Sequence, residues 1–344
     1  VFHGEYRNEQ GAQPRRVARN RIRPTPLMQF YDIFNGDADG ICALQQLRLE
    51  DPRASVLITG TKREIALVER VDARAGDELT VLDVSFKTNA SAVMRALESG
   101  ARCRYFDHHH PGNIPQHPNL RTFIDTAPDV CTSLLVDRYL SGRQRIWAVV
   151  AAFGDNLVKS AMRTAELLQL DALDVERLRE LGECINYNAY GESVEDLHYH
   201  PADLFETLSH YGDPRDFMDG EPIFEVLRNA WQDDMARAAS MHPEFQNAAS
   251  ALYILPDAAW SRRVSGLFSN QLAQQNPKRA HAVLVKRADG YAVSVRAPVE
   301  KPSGADELCL RYETGGGRKA AAGINRLAEA ELSGFMAEFA RAFA

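Results

Sequence analysis

From Gln29 onward the chain repeats one pattern: a short apolar run, a polar turn, then a stretch with helical spacing. "FYDIF" reads as a buried strand and "GDADG" as the loop after it. "ICALQQLRLE" then carries Ile41, Leu44, Leu47 and Leu49 at roughly helical intervals. The runs "SVLIT", "LTVLDVS" and "RCRYFD" follow, separated by helical stretches such as "TNASAVMRALESG". Strands alternating with helices predict an α/β fold with a parallel sheet covered on both faces. In such sheets the functional loops lie at the carboxyl ends of the strands.

Acidic residues occupy that edge. Asp37 and Asp39 follow the first strand, Asp83 ends "TVLD", and Asp107 precedes three histidines in "RYFDHHHPGN". Asp155 closes the apolar run "IWAVVAAFGDN". Carboxylates crowded at one sheet edge repel one another unless cations neutralise them. Oxygen ligands with one or two imidazoles suit Mn²⁺ or Mg²⁺, whereas zinc more often recruits cysteine. Two such ions roughly 3.5–4 Å apart activate water and stabilise both oxygens of an in-line displacement at phosphorus. The blander role for Asp37, Asp39 or Asp155 is a helix cap.

The length of 344 residues accommodates two domains. The expected division is a parallel-sheet domain over 28–163, a mostly helical connector over 164–245, and a smaller α/β domain over 246–344. The last contains a strand at "ALYIL", a helix from Ser261, and a hairpin turning at Asp289-Gly290. It closes with "ETGGGRKAAAGIN" and an amphipathic helix. Gly315, Gly316 and Gly317 free backbone N–H groups for a phosphate, as a nest before a helix starting at "AAAG" would. The bland alternative is a loop needing positive φ. His198 and His200 read as exposed loop residues, and Trp147 and Phe153 as core.

No run approaches the roughly 18 uncharged apolar residues of a membrane span. Five dispersed cysteines without a C-x-x-C pair exclude a zinc ribbon or redox motif and fit a reducing cytoplasm. The formal net charge of −7 argues against a grip for a long polyanion. Residues 1–27 carry six arginines and little apolar periodicity. They read as a flexible basic leader before a natural start at Met28, with a nucleic-acid arm as the alternative.

The ordered set "DAD" at 37–39, Asp83, "DHH" at 107–109, Asp155 and the distal "GGG…AAAG" resembles the DHH phosphoesterases with the DHH-associated C-terminal domain, a RecJ-like and oligoribonuclease-like superfamily. The resemblance implies that Asp37 ligates a first metal ion and Asp39 a second, with Asp83 bridging them. It implies that His108 and Asp155 complete the second site, that His109 faces the substrate phosphate, and that Asp107 supports it. His110 is then a flanking residue. Arg296 in "SVRAP" resembles the family's serine-arginine strand motif and suits bidentate phosphate binding; Arg262 and Arg263 are further candidates.

Two departures stand out against that pattern. The family has histidine four residues before the first motif aspartate, or aspartate two residues before it; here those places hold Ile33 and Asn35. Asn35 offers only a neutral carbonyl, which implies a weak first metal or one recruited with substrate. Arg318 stands where the glycine motif continues with histidine, keeping charge but not shape.

The expectation is therefore a phosphodiesterase, with two Mn²⁺ or alternatively Mg²⁺, hydrolysing short oligonucleotides or nucleotides in a cleft between domains. A RecJ-like single-strand exonuclease is the enzymatic alternative. A non-catalytic phosphate- or nucleotide-binding protein with an impaired first metal site is the other. No membrane partner is expected, and the oligomeric state, a homodimer among the options, stays open.

Overall fold

The computed structural model describes residues 28–344; the basic leader expected over 1–27 lies outside the described residues. The first half runs β1 Phe30–Phe34, α1 Ala38–Glu50, β2 Val56–Ile58, β3 Glu78–Leu82, α2 Phe86–Glu98, β4 Arg102–Asp107 and β5 Leu120–Ile124. These strands form one sheet in the order β2-β1-β3-β4-β5, with every pairing parallel. Register aligns Ile33, Val81 and Tyr105 across the sheet, and Phe34, Leu82 and Phe106 beside them. Successive strand residues point to opposite faces. The first row accordingly packs toward α2 with Phe86 and Val93, and the second toward α1 with Ile41 and Leu44. Both faces are covered, which explains why these strands read as continuous apolar runs.

Helices follow: α3 Thr132–Tyr139, α4 Arg145–Gly154, α5 Val158–Glu166, α6 Ala172–Asn188, α7 Pro201–Leu208, α8 Pro214–Gly220 and α9 Pro222–Ala239. The apolar run before Asp155 is thus helix α4, and Trp147 and Phe153 are buried in the core as expected. His200 caps α7, but His198 is half-buried, its Nε2 lying 2.9 Å from the Tyr187 hydroxyl. Reading His198 as an exposed loop residue is corrected accordingly, because a tyrosine 11 residues upstream captures its ring.

The second sheet comprises β6 Phe245–Gln246, β7 Ser250–Leu255, β8 Ala280–Arg287, β9 Gly290–Arg296, β10 Gly315–Arg318 and β11 Ala321–Leu327, with α10 Ala259–Gln275, α11 Ala305–Cys309 and α12 Leu332–Ala342 against it. Its order is β10-β11-β9-β8-β7-β6; β7 and β8 are parallel and the rest antiparallel. The expected helix at "AAAG" is instead strand β11, paired with the glycine run. Gly315 and Gly317 are required by that packing. A Cβ on Gly315 would overlap the Cys309 carbonyl, and Gly317, at φ 144°, lies against Ala322. The run is therefore a hairpin strand and not a nest leading into a helix, and Arg318 sits exposed at its tip.

His281 on β8 is buried, and neither ring nitrogen has a hydrogen-bond partner among the described residues. Burial, with Arg279 nearby, lowers its pKa to about 4. The unfolded chain takes up this proton near pH 6.5 and the folded chain only near 4, so the stabilisation is intact above 6.5 and lost as pH falls between them. Replacing His281 with leucine is expected to spare up to about 3 kcal/mol of that acid-induced loss, read by urea melts at both ends of the window.

Candidate metal centre

The carboxyl edge of the first sheet brings the expected residues together. Asp37 is the N-cap of α1: its Oδ1 accepts from the N–H groups of Asp39 at 3.1 Å and Gly40 at 3.0 Å. The expected loop "GDADG" therefore ends at Asp37, and the helix already contains Asp39. Asp39 reaches across to the start of α3, where its two oxygens accept from Thr132 and Ser133 N–H, each at 2.7 Å. Both aspartates are caps, one of its own helix and one of a distant helix. A capping bond uses one lone pair of a carboxylate oxygen, so both remain able to face a cation.

Asp83 follows β3 in the left-handed region, at φ 58°, and accepts from the Thr132 hydroxyl at 3.0 Å. At the end of β4, Asp107 is fully buried and accepts from Phe86 N–H at 3.2 Å. Its other oxygen lies 2.7 Å from His109 Nδ1. That hydrogen bond raises the pKa of His109 and fixes its half-exposed ring at the rim. His110 is exposed and outside the cluster. The three adjacent histidines thus occupy three different environments.

His108 is the decisive one. Its Nδ1 lies 3.0 Å from the Val130 carbonyl oxygen, which can only accept, so Nδ1 carries the proton there. Nε2 then faces Asp83 at 3.3 Å and Asp39 and Asp155 at 4.0 Å each. The Nε2 lone pair therefore needs a proton or a cation between itself and these carboxylates, and a divalent ion would meet that need for all three at once. A backbone carbonyl on the far nitrogen is the usual way a metal-binding imidazole is oriented. Asp39, His108 and Asp155 place ligand atoms close enough to share one ion, as do Asp83, His108 and His109.

The electrostatics agree. Burial, reinforced by Asp39, Asp37 and Asp155, pushes Asp83 well above the usual carboxylate range. Burial and Asp39 push Asp155 up to about 6. Carboxylates that hold on to protons so tightly need a cation to ionise together. Oxygen donors with one imidazole fit a hard or borderline divalent ion such as Mn²⁺ or Mg²⁺.

Around Asp37 the donor set does not fit a second ion. Ile33 is buried in the apolar core. Asn35 is buried with its Oδ1 unpartnered, a single neutral oxygen. Lys62 Nζ lies 2.6 Å from Asp37 Oδ2 and 3.6 Å from Asp155. Burial opposes its charge, but Asp37, Tyr190 and Asp155 outweigh burial and hold the ammonium protonated above its usual range. A reading that follows acids and imidazoles passes over Lys62. It nevertheless follows β2 at the same sheet edge, in "TGTKRE", where the rule that nominates Asp37 and Asp83 also reaches.

A cleft of about 770 Å³ opens beside Asp155 and Lys62 and is walled on the other side by Trp231 of α9 and by Asn270 and Gln271 of α10. The Arg296 guanidinium donates to Asn270 Oδ1 at 2.7 Å and has no carboxylate partner among the described residues. Arg262 and Arg263, against expectation, are not available to a phosphate. Arg262 pairs with Asp196 at 2.7 Å and with Asp257; Arg263 is buried against Asp234 at 2.8 Å. Their charges are consumed within the protein.

No family model matches the chain, and no curated protein matches its sequence. Solved structures do match. An exonuclease RecJ bound to manganese superposes with a TM-score of 0.60 at 18% identity, over 91% of this chain and 90% of that one. The DHH domain of a member of the s1p family of ribosomal proteins gives 0.58 at 14% identity, over 91% and 86%. The chain has the fold of the DHH-domain proteins. A pGpG-specific phosphodiesterase, PggH from Vibrio cholerae, gives 0.53 at 14% identity, over 91% and 99%. This fold spans both sheets, which accords with a parallel sheet joined to a second α/β unit. Among the described residues no helix is long and apolar enough to cross a membrane.

Proposed function

We propose that the chain is a divalent-metal-dependent phosphoesterase that hydrolyses phosphodiester bonds in short oligonucleotides or nucleotides. The observation that carries this is His108, whose Nε2 faces Asp83, Asp39 and Asp155 while the Val130 carbonyl fixes its other nitrogen. Asp39, Asp83, His108 and Asp155 would hold the ion, Mn²⁺ or Mg²⁺. When bound, such an ion lowers the pKa of water and offsets charge developing on the phosphoryl oxygens.

The chain's own groups complete the chemistry. His109, its Nδ1 held by Asp107, would present its half-exposed ring at the rim to a phosphate oxygen. Arg296, held by Asn270 and without a carboxylate partner among the described residues, would present its guanidinium from β9. The segment 28–163 would carry the catalytic sheet, 164–245 the helical connector and 246–344 the substrate-binding unit. The hairpin of Gly315, Gly316, Gly317 and Arg318 would approach the distal part of the substrate through exposed backbone at Gly316, where a side chain would meet open space.

The test is hydrolysis of a panel running from dinucleotides to a long single strand, with Mn²⁺ and with EDTA. Release of mononucleotide from the shortest members supports the proposal; no turnover across the panel sinks it. A preference for long strands and a steep loss of activity with salt would favour the RecJ-like exonuclease reading, which the superposition on RecJ keeps in play. Arg296→Ala is expected to raise KM for the best substrate about tenfold or more, because hydrogen bonds to charged groups contribute about 1.5–3 kcal/mol. Mn²⁺ affinity should not change in that variant.

A further inference from the structure

The ammonium of Lys62 occupies the place beside Asp37 where a first metal ion would be held. Asp37 has two oxygens, and both are engaged. Oδ1 caps α1 through two N–H groups, and Oδ2 meets Lys62 Nζ at 2.6 Å. The ammonium also lies 3.6 Å from Asp155 and donates to Asn186 Oδ1 at 3.2 Å. Any ion bound through Asp37 Oδ2 would have to displace it.

The lysine is held there by its backbone. Its N–H donates to the Ala189 carbonyl at 3.0 Å, tying the loop after β2 to the end of α6. Thr61 beside it is fully buried, and its N–H donates to Glu64 at 2.8 Å. Arg70 clamps the loop through the Thr59 carbonyl at 3.0 Å and through Glu64. A surface lysine reaching for a carboxylate would need none of these bonds. The two neighbouring positions that could supply ligands are an apolar core residue, Ile33, and the neutral Asn35.

We propose that this centre takes a single divalent ion, at Asp39, Asp83, His108 and Asp155, and that Lys62 is a built-in replacement for the second cation. Its compact ammonium neutralises Asp37 and remains at the edge of the cleft, where it can face a substrate phosphate. The catalytic consequence rests on the phosphoesterase reading; the metal count does not.

The experiment strips the full chain with EDTA, titrates it with Mn²⁺ alone, and follows occupancy by equilibrium dialysis and low-temperature EPR. Wild type is expected to bind one ion per chain, with the hyperfine pattern of an isolated Mn²⁺. Two ions per chain with a spin-coupled spectrum would overturn the proposal. Lys62→Met, similar in length but uncharged, is expected to admit a second, coupled ion; if its count stays at one, Lys62 is not what excludes that ion and the proposal fails. Should Lys62→Met not melt cooperatively, Lys62→His, which replaces the ammonium with a ligand, decides by the same count. One ion bound without hydrolysis of any substrate would leave this inference standing and remove the phosphoesterase reading. Hydrolysis with two coupled ions would do the reverse.

Discussion

Asp83→Asn is expected to lower metal-dependent turnover by about 10³-fold or more and, in EDTA, to raise the melting temperature. The activity loss follows from position. Asp83 lies against His108, and burial reinforced by Asp39, Asp37 and Asp155 raises its pKa well above the carboxylate range, so a cation helps it ionise. Removing an ion that supplies several kcal/mol of transition-state stabilisation gives a rate loss of this order.

The stability gain follows from the same crowding. A carboxyl whose pKa folding raises holds its proton more tightly folded than unfolded, and above the ordinary carboxylate range that difference opposes folding. An amide removes that opposition, so in EDTA the variant is expected to melt above wild type. The gain should close as pH falls below the ordinary carboxylate range, where both states of the wild type are protonated. Asparagine is the right substitution because Asp83 sits at φ 58°, a region asparagine tolerates and alanine resists. Adding Mn²⁺ should raise the melting temperature of wild type and leave that of Asp83→Asn nearly unchanged. A variant that still gains stability from Mn²⁺ would place the ion elsewhere.

The sheet edge was legible in the sequence because a parallel α/β pattern says where functional loops lie, and the acids stand at the ends of those strands. Asp37, Asp39, Asp83 and His108 converge for that reason, and Asp155 joins them from the end of helix α4. What pattern alone could not supply was the partner of each charge. Asp37 and Asp39 looked like alternatives, cap or ligand, whereas capping leaves lone pairs and one residue can do both. Lys62 carries the opposite sign from the residues being followed. In the glycine run, Gly and Ala serve a tight hairpin as readily as the start of a helix, and the obstacle that decides between them, the Cys309 carbonyl, belongs to another element. Arg262 and Arg263 read as phosphate ligands because Asp196 and Asp234, which hold them, lie 66 and 29 residues away in sequence.

That last pairing sets the second large effect. Arg263 on α10 donates to Asp234 on α9 at 2.9 Å, to the Tyr187 hydroxyl on α6 at 3.1 Å, and to the Asp196 carbonyl at 2.5 Å. Tyr187 donates to Asp234 at 2.5 Å, so burial and this bond push the phenol far above its usual range. All three side chains are at least nine-tenths buried, and they join two connector helices to the helix that walls the cleft. Asp234→Ala leaves a buried guanidinium without its counter-charge and should destabilise the protein by about 3–5 kcal/mol in urea melts. Asp234→Leu combined with Arg263→Met removes both charges and should recover most of that loss. Cleft geometry is a separate readout: α10 carries Asn270, which holds Arg296, so the single variant should also raise KM toward the Arg296→Ala value. A single variant as stable as wild type would show that these helices are held by apolar packing alone, with the buried charges contributing nothing to their alignment.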